Sequence, residues 1–269
     1  MNYVLPTDHK SFALKLKVNT IEPKKVAIVA KSYEEVPVYY LNRIAPVSGE
    51  REFTLKFPQS PETLMLSVFD SEGTNDPNNQ DGSIEVLDTT IVDLPTADMW
   101  LKANDREFIE FAQKFAEECK KLTCGTDGRP VIYESKNRKF RINYYDVIRS
   151  EQGQELSTPA RVGHTTGNID MAKSKIMDYT VPMTLVVLLH EYSHKYKNPT
   201  ADFDIGYESG ADIHALDMML SMGYPHIEMQ RGFLAVFDGA QSAENHKRYK
   251  IVNDFITKFA NGKIKQINH

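Results

Sequence analysis

The sequence predicts an α+β protein in two domains: an N-terminal antiparallel β-sandwich over residues 1–95, then a domain over 96–269 built from a few short strands and helices. Three observations carry this. Apolar residues alternate at period two through the first 95 positions, as in Phe12, Leu14, Leu16 and Val18, or Phe53, Leu55 and Phe57. From about residue 105 the spacing becomes helical, with Phe108, Phe111, Ala112, Phe115 and Cys119 on one face. Pro95 stands where the pattern changes.

In chain order, further strand candidates are Val26 to Ala30, Val36 to Leu41, Leu64 to Phe69 and Ile84 to Val92, giving about seven strands. The loop between the last two is rich in acidic and amide residues. A helix-loop-helix calcium site starting at Asp76 would need a carboxylate at its twelfth position, where Leu87 stands, so an exposed hairpin loop is expected. After the first helix come strand candidates at Pro130 to Tyr133, Phe140 to Val147 and Ala160 to Thr166; from there the reading is all helix. Val252, Phe255, Ile256 and Phe259 mark a closing amphipathic helix that ends near Asn261 and Gly262.

With 41% hydrophobic and 26% charged residues, the composition is that of a folded globular chain rather than a disordered one. A net charge of -5 offers no general attraction to nucleic acid or anionic lipid. The opening residues lack a basic segment followed by an apolar one, so no secretory signal is expected, and the apolar run Leu185 to Leu189 is far too short to span a bilayer. Cys119 and Cys124 are wrongly spaced for a CxxC knuckle and are expected to be reduced thiols.

The chemistry lies in the stretch from Tyr179 to His194. Pro182 suits the first turn of a helix, the apolar run after it predicts a buried one, and Asn198 and Pro199 end it. His190 and His194, four apart, share one helical face, so two imidazoles can converge on one tetrahedral ion. Glu191 follows the first histidine by one position and projects beside such an ion, where it can take a proton from a polarised water. This is the HExxH pattern of zinc peptidases.

A third ligand is required if a fourth position is to stay open. The longer pattern HExxHxxGxxH fails, because Lys197 and Thr200 stand where glycine and histidine belong. Glu208 and Asp212 open the next predicted helix, which stops at Gly223, and Glu208-Ser-Gly-Ala-Asp212 resembles the ExxxD element of gluzincins. The resemblance implies Glu208 as third zinc ligand and Asp212 as acceptor of a hydrogen bond from a ligand histidine. Asp202, Asp204 and His214 are weaker ligand candidates. Thirteen residues separate His194 from Glu208, which predicts a compact site between two antiparallel helices.

The same resemblance implies a zincin-like fold, with a small mixed sheet whose edge strand pairs with an extended substrate. Ala160 to Thr166 is the candidate edge strand, and His164 on it is either a substrate contact or a plain surface histidine. For a donor to the tetrahedral oxyanion, Tyr207, Tyr224, His226 and Arg231 are the candidates, and the sequence does not choose among them.

From Arg161 to Phe237 the chain also resembles metallopeptidase-like virion proteins of crAss-like bacteriophages, on Asp178-Tyr-Thr-Val-Pro-Met183, the HExxH motif, Glu208 to Asp212 and Gly223-Tyr-Pro-His-Ile-Glu228. This implies a homo-oligomeric tail or neck-ring component whose β-domain meets other virion proteins; without that resemblance the expected location is cytoplasmic. The predicted function is a zinc-dependent endopeptidase acting on protein or peptide. The rival is a structural virion protein that keeps a catalytically silent zincin scaffold. Ligation needs neutral histidines, so activity is expected to fall on acidification.

Overall fold

In a computed structural model, residues 1–73, 83–94, 101–197, 207–238 and 242–261 are described. The Asp76 loop, Pro95, Asn198, Pro199, Asp202 and Asp204 lie outside them, apart from the loop's last residues. The protein is α+β, with two compact units: Met1–Ala97 together with Met222–Glu228, and Asp98–Ser221 together with Met229–His269.

The first unit contains β1 (Asn2–Pro6), β2 (Phe12–Ser32), β3 (Tyr39–Phe57), β4 (Thr63–Asp70) and β5 (Ile84–Asp93). All join one antiparallel sheet in which β2 is central. The separate strands expected at 12–18 and 26–30 are parts of β2, and a register shift between Thr20 and Lys24 divides it. The half before the shift lies between β3 and β5; the half after it lies between β3 and β4. Leu14, Leu16, Val18, Val26, Ile28 and Ala30 are all buried, because the alternation keeps one face apolar through the irregularity. Among this unit's described residues there are therefore five strands, β2 and β3 being 21 and 19 residues long, where about seven short ones were expected.

A segment distant in sequence completes this unit. Tyr224 donates its hydroxyl to Gln59 Oε1 at 2.9 Å, and the fully buried Glu228 accepts the Asn42 N–H at 3.3 Å. Gly223 sits at φ +84°, a left-handed conformation that turns the chain sharply after the preceding helix.

The second unit holds α1 (Ala103–Glu118), β6 (Val131–Glu134), β7 (Arg141–Tyr145), β8 (Ala160–Val162), β9 (Ile169–Ala172), α2 (Lys173–Ile176), α3 (Val181–Tyr196), α4 (Tyr207–Ser221), most of α5 (His226–Asp238) and α6 (Ala243–Ala260). The sheet is mixed, in the order β6-β7-β9-β8, with β7 and β9 parallel and β8 on an edge. β9 falls where only helix was expected, since four residues, one of them Asp170, are too few to establish a period. The candidate edge strand is shorter than expected: after Val162 the chain turns, with Gly163 N–H donating to Asn168 O at 2.9 Å.

Helix α3 is the axis of this unit. Thr180 caps it, Pro182 lies in its first turn, and its residues from Val181 to Leu189 are all buried. At its other end Phe108 stacks on Tyr192 with ring centres 4.3 Å apart, and Asp105 accepts hydrogen bonds from Lys197 and, at 2.5 Å, from the Tyr192 hydroxyl. α1 thus clamps the end of α3 that carries the histidines. Neither cysteine is bonded to the other; burial pushes the Cys119 thiol up to about 11, so it is an inert core group.

Candidate metal centre

His190 and His194 point from one face of α3 into a cleft of about 270 Å³. Their Nε2 atoms are 3.0 Å apart. Glu208, in the first turn of α4, brings Oε2 to 3.4 Å from His190 Nε2 and Oε1 to 3.5 Å from His194 Nε2. Zinc–nitrogen bonds of about 2.0–2.1 Å at tetrahedral angles separate ligand atoms by about 3.3 Å. The three side chains therefore offer donor types that suit one tetrahedral ion, with each pair near that spacing and a different Glu208 oxygen facing each histidine. They are the one set of at least three His, Cys, Asp or Glu side chains so gathered among the described residues.

Asp212, one turn along α4 and fully buried, places Oδ1 2.8 Å from His190 Nδ1. The approach is oblique to the ring N–H, and no other polar atom serves that nitrogen. Arg248 of α6 reaches the same carboxylate with Nε on Oδ2 and Nη2 on Oδ1, both at 2.8 Å. Its Nη1 lies 3.3 Å from Glu208 Oε2.

Three carboxylates, Glu191, Glu208 and Asp212, and one guanidinium, that of Arg248, line the cleft, a balance of two negative charges with all three ionised. Burial alone lowers the His190 value, yet Asp212 and Glu208 push it up to about 10. Hydrogen bonds from both histidines hold Glu208 far below the usual carboxylate range. Burial alone raises Asp212, but His190 and Arg248 bring it below its ordinary value. The cluster is one that draws positive charge, either a proton or a cation.

Glu191 is buried beside the ligands. Its carboxyl is raised above the ordinary range by burial, with the two histidines acting against that. Edge strand β8 lines the same cleft with Ala160, Arg161 and Val162.

Tyr207 stacks on the His194 ring at 4.4 Å and lines the cleft. Its hydroxyl is 3.3 Å from both His164 Nδ1 and the His194 carbonyl oxygen. Lys195, on α3, donates to the carbonyls of His164 at 2.7 Å and Thr165 at 3.0 Å, pinning the turn after β8 to α3.

The other sequence candidates go elsewhere. Tyr224 and His226 belong to the first unit, with His226 beside Arg43 and Lys56. Arg231 does not line the cleft, and His214, though buried on α4, is outside the ligand group. Arg248 was not singled out in the sequence: it stands 36 residues from Asp212 in an ordinary amphipathic helix, and no local signal marks it.

Comparison with protein-family models, with curated proteins and with solved structures returns no match.

Proposed function

We propose that the second unit binds one Zn²⁺ through His190, His194 and Glu208 and hydrolyses peptide bonds in a protein or peptide substrate. The observation that supports it most is that the two Nε2 atoms lie 3.0 Å apart, each with a Glu208 carboxylate oxygen within 3.5 Å, and that Glu191 occupies the position after His190 on the same helix. A zinc ion there supplies Lewis acidity, polarising a carbonyl and making water more acidic.

Glu191 accepts the proton of the attacking water at its carboxylate and returns it to the leaving amine. Its raised proton affinity suits both transfers better than an ordinary carboxylate would. An extended substrate lies along β8, the exposed edge next to α3, and pairs with it through main-chain hydrogen bonds. Tyr207 is the donor placed to stabilise the developing oxyanion, with His164 as its hydrogen-bond partner. Placement in a phage tail or neck ring, homo-oligomeric and among other virion proteins, rests on sequence resemblance alone.

Wild type and Glu191→Gln are to be compared for zinc content and for cleavage of unfolded casein and a mixed peptide library. Equal zinc with cleavage lost in the variant supports the peptidase. Equal zinc with no cleavage by either protein favours a metal-holding scaffold, and wild type without stoichiometric metal overturns both readings.

A further inference from the structure

We propose that Arg248 is a positioning residue for the metal centre, and that helix α6 therefore strengthens metal binding through it although it contributes no ligand. This rests on the metal reading above. Asp212 Oδ1 is shared between His190 Nδ1 and Arg248 Nη2, each at 2.8 Å, and Arg248 Nε holds the other carboxylate oxygen at the same distance. A carboxylate gripped at both oxygens by a planar fork cannot rotate about its terminal bond, so the acceptor presented to His190 has a set direction. The remaining nitrogen, Nη1, reaches ligand Glu208 at 3.3 Å. Arg248 therefore touches one ligand directly and another through Asp212, closing a ring of four side chains around the ion position.

An arginine in a cleft more often serves to grip a substrate carboxylate. Here all three guanidinium nitrogens face Asp212 or Glu208, and the Phe237 ring lies 4.9 Å from the guanidinium carbon. The group is committed to the protein. A lysine at this position would keep the charge and lose the fork, which separates geometry from electrostatics.

The test measures zinc affinity of the full-length protein by chelator competition for wild type, Arg248→Lys, Asp212→Asn and the double variant, with circular dichroism and unfolding midpoints recorded alongside. Arg248→Lys is expected to bind zinc 10- to 100-fold more weakly while keeping the wild-type spectrum, and to add little in the Asp212→Asn background. The visible spectrum of the cobalt-substituted protein should change in the lysine variant, which a remote structural role would leave alone. Wild-type affinity in Arg248→Lys, or fully additive losses in the double variant, overturns the proposal and leaves the metal reading standing. A wild type that takes up no zinc overturns the metal reading and this proposal together.

Discussion

Asp212 Oδ1 lies 2.8 Å from His190 Nδ1, and the carboxylate that provides it has no exposed surface at all. A buried carboxylate is costly unless each oxygen is engaged, and here an imidazole and a guanidinium engage both. The arrangement orients one candidate ligand and joins α3, α4 and α6 by a single charged side chain.

Replacing Asp212 with leucine should therefore destabilise the protein by about 3–5 kcal/mol, because Arg248 would remain largely buried with both bonds of its fork lost and only the contact to Glu208 left. Urea unfolding followed by circular dichroism measures this. A loss below about 1 kcal/mol would show that solvent reaches Arg248 readily.

Tyr207→Phe removes the hydroxyl and keeps the ring that stacks on His194. Under the peptidase reading, kcat should fall by about 10²- to 10³-fold, with KM and zinc content near wild type. Steady-state kinetics with metal analysis tests it. An unchanged kcat removes Tyr207 from the chemistry.

Asp105 links pH to the clamp at the end of α3. Burial alone raises its carboxyl, but hydrogen bonds from Lys197 and Tyr192 hold it below its ordinary value. A depressed folded value means its stabilisation is present above the unfolded pKa of about 3.9 and is lost as pH falls through the folded value. Asp105→Asn should cost about 3–5 kcal/mol at neutral pH, leaving Lys197 buried and unpaired, and the gap to wild type should narrow below about pH 4. Denaturant midpoints between pH 2.5 and 7 would reveal a constant gap if the linkage is absent.

Gly232 on α5 permits close packing on α3. A Cβ there would lie 2.9 Å from Val186 Cγ1 and 3.3 Å from the Met183 Cα. Val186 is β-branched and fully buried, so it has little freedom to yield. Gly232→Ala should destabilise by about 1–3 kcal/mol despite alanine's better helix propensity, and a thermal midpoint equal to or above wild type would contradict it.

Much of the local structure was legible from residue order. Period-two alternation marked the N-terminal strands, helical spacing marked α1 and α6, and Pro182 with the apolar run after it marked α3, because these are properties of a few neighbouring residues. The register of the long β2, which merges two expected strands, and the short β9 escaped, since strand continuity and a four-residue strand depend on partners elsewhere in the chain.

The site divides in the same way. His190 and His194 are one helical turn apart, so their shared face follows from the sequence alone; Glu208 and Asp212 were found by their resemblance to a known element. That the two helices meet with donor atoms 3.4–3.5 Å apart, that Arg248 of α6 closes on Asp212, and that Tyr207 rather than Tyr224 lines the cleft were decided by packing. Helix geometry sets the relation of residues within a turn, whereas contacts across 36 residues or more arise only when buried faces are brought together.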